Sequence, residues 1–401
     1  MNKVYKNNTE IAELNGVPIY MNDVVDACLL GRLNLFLQGD TGNGKTQLAK
    51  DAMNDFRDKS LFILGRNDMD TRELFQQINP QFIKALREGS DSSNLKLKDL
   101  TNKINYNLIV VDELPNCVPA VRAQLFNLFD GFIEVEGKAY PIGKDYSVGI
   151  ATGNIGQKFT ESSNELGRAL KDRMHVIVDT DYFFPKPSDT LEILAENTNP
   201  RIEFNQESKD LSADIIEKYK ALISQEIPLE KLIVANYLLH GLDHCSKGSK
   251  RKMKDAWPTQ LENHEQGSDV GLVLPVSPRA AKSIIRLSQS LDQITKEKGA
   301  QNVDSVDSML NAYKLVSTYS GVLNEAAVQN TYGGNHYDAM DAIISTTKSQ
   351  FNEQSDNILA GLSMVKSGKT NKKVLDLFAG RWSFMKDILT YLTKNGKDNN
   401  T

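Results

Sequence analysis

Cysteine is scarce in these 401 residues: Cys28, Cys117 and Cys245 stand far apart, with no Cys-x-x-Cys pair among them. That excludes a disulfide framework and suits a reducing compartment. No apolar run is long enough to span a bilayer. The amino-terminal stretch MNKVYKNNTEIAEL carries no signal-peptide core. The expected location is therefore the cytoplasm, with no membrane partner. Positive charge is short as well, since 47 Lys and Arg against 52 Asp and Glu leave a net charge of −5. Bulk attraction to nucleic acid or anionic lipid normally needs a basic chain. Otherwise the composition is ordinary, 40% hydrophobic and 25% charged, which excludes a wholly disordered chain. The length exceeds what one hydrophobic core serves and implies two or three domains.

Periodicity divides the chain in two. In the first half NLFLQG, SLFILG, NLIVVDE, DYSVGIATGN and DRMHVIVDTDYF read as short buried strands. Between them NDVVDACLLGRL (capped by Asn22 or Asp23), TQLAKDAMNDF, DTRELFQQI and VPAVRAQLFNLFDG read as helices. Alternation of this kind means an α/β fold with a parallel sheet flanked by helices. After FFPKPSDT the segments IIEKYKALISQ, LEKLIVANYLLHGL and PRAAKSIIRLSQSL all carry helical spacing. The expected domains are an α/β nucleotide-binding domain over 1–190, an α-helical lid over 191–320, and a helical C-terminal extension over 321–401.

FLQGDTGNGKTQLAKDAM places Gly39-x-x-x-x-Gly44-Lys45-Thr46 between a strand and a helix, the context that marks a phosphate-binding loop. Gly39, Asp40, Thr41, Gly42, Asn43 and Gly44 form the loop, and Lys45, Thr46 and Gln47 open the helix. Glycines let successive N–H groups turn inward around a β-phosphate, and the helix N-terminus adds positive potential. In this reading ATP binds there, Lys45 bridges the β- and γ-phosphates, and Thr46 ligates Mg²⁺. A second SGKT, Ser367–Thr370, has Ser363 in place of the first glycine and no preceding strand, and reads as a surface turn. Asp112 and Glu113 end the apolar strand NLIVVDE. Two adjacent carboxylates there are costly without a nearby cation. Asp112 is the candidate Mg²⁺ ligand, and Glu113 the candidate activator of the attacking water. The alternative is a capping pair before the next helix.

VDELPNCVPAVRAQLFNLFDGFIEVEGKAYPI, then GIATGNI, RALKDRMHVIV and SPRAAKSIIR, resemble the successive motifs of MoxR-type AAA+ ATPases, the NorQ/CbbQ-like subset with a helix-2 insert being nearest. The resemblance spans about residues 15–295 and implies a P-loop AAA+ core followed by a helical lid. FIEVEGKAYPI, turning at Glu136-Gly137, would be the β-hairpin insert. Asn154 matches sensor 1, Arg173 the arginine finger that reaches a neighbouring subunit, and Arg279 sensor 2. Each has a plainer alternative: Asn154 as a turn residue, Arg173 as an internal ion pair with Arg168 its competitor, Arg279 as a solvated first-turn residue. Asn67 is a candidate for restraining Glu113. Two departures stand out: Thr41 replaces a common proline, and LPNC follows Glu113 where the family usually has Asn-Arg.

If Arg173 acts in trans, one subunit cannot complete its own site. The resemblance thus implies a homo-oligomer, a hexameric ring that remodels or activates a protein client, often with a von Willebrand factor A protein. That partner's Asp-x-Ser-x-Ser motif is absent here, so the partner would be a separate chain. The rival class is a nucleic-acid translocase or helicase-like motor. The basic run KGSKRKMK, Lys247–Lys254, followed by Trp257, would suit it unless the run is merely a solvated insertion. A third reading is a slow nucleotide-dependent switch. His240 and His244, four apart and next to Cys245, have zinc-like spacing but no visible partner ligands, so packing is the plainer account. In the C-terminal extension KVLDLFAGRWSFMKDILTYL has helical spacing and reads as a helix packing on the lid or on a neighbouring subunit.

Overall fold

In the computed structural model, residues 4–68, 75–88, 98–135, 137–154, 173–195, 209–243 and 269–395 are described. The chain forms two compact units, Met1–Glu13 with Pro18–Ser224, and Leu14–Val17 with Gln225–Thr401. The first is built on a five-stranded parallel sheet. Its strands are β1 (Leu35–Gln38), β2 (Ser60–Leu64), β3 (Leu108–Asp112), β4 (Val148–Gly153) and β5 (Val176–Asp179), in spatial order β5-β1-β4-β3-β2. Every residue of β1, β3 and β4 is buried, as expected of parallel strands covered on both faces. The connection from β1 runs toward β2 at one edge of the sheet and that from β4 runs toward β5 at the other, so the direction reverses between β1 and β4. A crevice opens at the carboxyl ends of the strands at such a point, where α/β sheets bind ligands.

The amino edge of the sheet is closed by buried Asn34. Its Nδ2 donates to the carbonyls of Phe129 (2.7 Å) and Arg173 (3.0 Å), and its Oδ1 accepts from Gly149 N (2.9 Å). A buried amide is tolerated because its capacity is filled in this way. Helix Pro119–Phe129 is followed directly by the antiparallel hairpin Phe132–Val135/Lys138–Pro141, whose Gly137 takes φ 73°. Glu136 lies outside the described residues. One expected helix is different: in DTRELFQQI the residues Gln76–Ile78 form a strand paired antiparallel with Lys98–Leu100. Pairing with a distant segment overrides local helical spacing there.

The second unit is helical. Helix Pro278–Glu297 starts on the Ser277 cap, whose hydroxyl accepts from Ala280 N, with proline at the first helical position. Lys231, on helix Leu229–His240, is buried, and its Nζ donates to Ser288 Oγ (3.0 Å), Ser308 Oγ (3.0 Å) and Asp292 Oδ2 (2.5 Å). All three ammonium protons are thereby satisfied, and three helices are held in register. Burial pulls the Lys231 pKa down, and the Asp292 charge opposes that. The C-terminal stretch is two helices, Lys372–Asp376 and Phe384–Asn395, broken by Gly380 at φ 59°. It packs within the same unit as helix Leu229–His240. Arg381 forms a bidentate pair with Asp269 (3.0 and 3.1 Å) and donates to Tyr237 Oη (3.0 Å). The Trp382 ring lies 4.9 Å from those of Tyr237 and Phe351. The second SGKT is an exposed turn in which Gly368, at φ 63°, ends helix Ser355–Ser367.

Candidate functional site

Strand β1 ends at Gln38, and the chain turns through the glycine loop into helix Lys45–Phe56. Gly39, Gly42 and Gly44 take φ values of 144°, 94° and 76°. A Cβ on Gly39 would also lie 2.2 Å from Thr180 Oγ1, so the first glycine is required by packing as well as by conformation. Lys45 is buried, and its Nζ donates to the carbonyls of Gly39 (2.9 Å) and Asp40 (2.6 Å). An ammonium has three N–H donors, so one remains beyond these two. Burial draws the Lys45 pKa below the ordinary lysine value. The surrounding charges of Asp181, Glu113, Asp40 and Asp112 pull it back up.

The acidic pair stands across the crevice. Asp112, the last residue of β3, accepts at Oδ1 from Thr46 Oγ1 (2.9 Å) and from Thr152 Oγ1 (2.5 Å). Thr46 and Asp112 thus present hard oxygen donors side by side. Mg²⁺ is usually held by such a set, with one or two carboxylates, phosphates and water completing it. Among the described residues no group of three or more His, Cys, Asp or Glu side chains converges as a self-sufficient metal site. Glu113 has left-handed backbone (φ 56°, ψ 42°), which turns its side chain out of the strand line, and its N–H donates to Thr152 Oγ1 (3.2 Å). The amide that meets its carboxylate is Asn116 (3.4 Å), not Asn67. Asn154, one residue past β4, donates from Nδ2 to Thr41 Oγ1 (3.3 Å). Its buried amide oxygen has no partner among the described residues.

The remaining site candidates lie elsewhere. Arg173 sits at the amino edge of the sheet, where its carbonyl is held by Asn34. Its guanidinium pairs with Asp130 (Nε–Oδ2 3.2 Å) and lies 5.3 Å from the Phe126 ring centroid. The phosphate loop leaves the opposite edge, one strand length away, roughly 13 Å at 3.3 Å per residue. Within one chain the two do not meet. Arg279, exposed at the second position of helix Pro278–Glu297, belongs to the second unit. Arg168, His244, Cys245, Trp257 and the Lys247–Lys254 run lie outside the described residues. Helix Leu229–His240 stops at Gly241, and Asp243 takes φ 52°.

Sequence reading missed Thr152, although it lies inside the quoted ATGN, because a threonine in a buried strand looks like packing. It also missed the tail of β5. Thr180 N and Oγ1 both donate to Gln38 O (2.8 and 3.0 Å), and the Asp181 carboxylate accepts from Asp40 N (2.8 and 2.9 Å) and from Asn43 Nδ2. No motif signals either contact. The amino-terminal strap also reaches the loop region: Tyr5 N donates to Asp51 Oδ2 (2.7 Å), and its ring covers the Cα of Gly44.

The profile of the AAA domain (dynein-related subfamily) matches residues 34–174, from the foot of β1 to the foot of β5. No curated protein matches the chain. A protein from Cytophaga hutchinsonii, whose crystal structure describes it as a candidate ATPase, shares the fold with a TM-score of 0.56. It is 17% identical, and the alignment covers 82% of this chain and 88% of that one. Residues 34–174 therefore carry an AAA domain, and the described residues that follow it are mostly helical.

Proposed function

We propose that this AAA-type ATPase works as a homo-oligomeric, hexameric ring that spends ATP to remodel or activate a protein client in the cytoplasm. A separate von Willebrand factor A protein is the partner suggested by the MoxR-type resemblance. Backbone amides of the loop and the third N–H of Lys45 bind the β- and γ-phosphates of ATP. Thr46 and Asp112 hold Mg²⁺, which, when bound, neutralises charge developing on the phosphate oxygens. Glu113 accepts the proton of a water as that water attacks the γ-phosphorus. The bond from γ-phosphorus to the bridging oxygen breaks, leaving ADP and phosphate. Asn154, with one amide atom unspent, places the water. Arg279 is assigned the second sensor on the resemblance alone.

The ring rests on the position of Arg173, whose backbone is anchored to the sheet edge opposite its own loop. It can stabilise transferring phosphate only in a neighbour's site. Two variants mixed together test this. Lys45→Ala keeps its finger but loses its own site, and Arg173→Ala keeps its site but loses its finger. Each alone should be inactive, and the mixture should regain ATPase activity at mixed interfaces. A mixture as inactive as its parts, or only monomer by light scattering with ATP and Glu113→Gln protein, would sink the ring. ATPase stimulation by DNA that is lost on neutralising Lys250, Arg251 and Lys252 would replace the protein client with a nucleic-acid track.

A further inference from the structure

We infer that Asp181 is a positioning residue for nucleotide binding, acting through the first turn of the phosphate loop on Lys45. This deepens the ATPase reading of the site and rests on it. Strand β5 does not simply end at Asp179. Gln38 Nε2 donates to Asp179 Oδ2 (3.1 Å), Thr180 donates twice to the Gln38 carbonyl, and Asp181 takes the Asp40 N–H on both oxygens. The three residues thus run as a clamp along the start of the loop. The clamp explains Gly39, since a side chain there would occupy the space of Thr180 and of the Asp181 carboxylate, 2.2 and 2.8 Å from its Cβ. Asp181 also takes the side-chain amide of Asn43, on the far side of the same loop.

The consequence for ligand binding follows from the Asp40 peptide and its neighbour. The Asp40 N–H is held by Asp181, and its carbonyl, with that of Gly39, holds two of the three Lys45 protons. Those carbonyls fix the direction of the third Lys45 N–H. If the loop's first turn is free to rotate, the carbonyls move and the lysine loses its aim. Asp181 thus orients Lys45 without touching the nucleotide. Its own N–H is tied back to Asp179 Oδ1 (2.9 Å), which keeps the carboxylate on the loop. The role needs an acceptor at this place, and it does not need the charge.

The test is nucleotide affinity, measured with a fluorescent ATP analogue on the full chain, for Asp181→Ala, Asp181→Asn and the control Lys45→Ala, with thermal melting of each nucleotide-free protein. Asp181 is exposed, so neither variant is expected to melt more than marginally lower. Asp181→Ala should bind about fivefold more weakly, on the scale of one lost charge-assisted hydrogen bond partly screened by solvent. Asp181→Asn keeps an acceptor for the Asp40 N–H and should bind within about twofold of wild type. Normal affinity in Asp181→Ala alongside a defective Lys45→Ala overturns the positioning role and leaves the ATPase reading standing. Normal affinity in Lys45→Ala overturns the ATPase reading itself. Equal defects in both Asp181 variants show that the charge matters rather than the acceptor, and also overturn the inference.

Discussion

Thr152→Val is the sharpest probe of how the fold supports the chemistry. Thr152 is 1% exposed, and valine reproduces its shape, so the change removes a hydroxyl and little else. That hydroxyl donates to Asp112 Oδ1 at 2.5 Å and accepts from Glu113 N at 3.2 Å. A hydrogen bond to a charged group contributes about 1.5–3 kcal/mol, and a stranded buried donor costs about 1–3 kcal/mol. The two effects share one atom, so a combined loss of about 3 kcal/mol is reasonable. For a unit of this size 1 kcal/mol moves the melting midpoint about 2–4 °C, which gives a drop of roughly 6–12 °C. Catalysis should suffer separately. The left-handed backbone of Glu113 is disfavoured by about 1–2 kcal/mol and is held in part by this bond. An orientation loss of 1.4 kcal/mol is about tenfold in rate. Single-turnover phosphate release at saturating ATP should therefore fall at least about tenfold in Thr152→Val. Thr152→Ser, which keeps the hydroxyl, should hydrolyse at close to the wild-type rate. Equal rates for the valine and serine variants would refute the reasoning.

Three further outcomes are expected. Glu113→Gln should bind ATP normally in equilibrium titration yet accumulate unhydrolysed nucleotide, and near-normal turnover would remove it as the activating carboxylate. Because burial lowers the Lys45 pKa, the nucleotide-free protein loses that charge at a lower pH than an ordinary lysine would. ATP affinity should accordingly fall as pH rises through the lowered value, with proton uptake on binding in that range. Titration calorimetry in two buffers of different ionisation enthalpy measures this, and no uptake on the alkaline side would contradict it. Arg381→Ala leaves Asp269, whose side chain is 4% exposed, buried without its partner, and should cost about 3–5 kcal/mol in denaturant unfolding of the second unit. A loss below about 1 kcal/mol would show that water replaces the guanidinium.

Much of the site was legible in one dimension because its chemistry is local. Gly39 to Thr46 is a contiguous segment whose glycines, lysine and threonine are dictated by phosphate geometry. The pair Asp112-Glu113 stands out because carboxylates rarely end an apolar strand without a cation. Five alternating strand and helix patterns likewise implied a parallel sheet, since only such a sheet buries strands on both faces. What the sequence could not show is long-range. The strand order that puts β1 between β5 and β4 depends on connections rather than on any residue. So do the contacts of Thr152 with Asp112, Asp181 with Asp40 and Asn34 with Arg173, which join residues 40, 141 and 139 positions apart. Gln76–Ile78 pairs as a strand against a helical-looking sequence for the same reason. Short-range periodicity is written in the residues themselves, whereas pairing partners are chosen by the burial and hydrogen bonding that only the closed chain supplies.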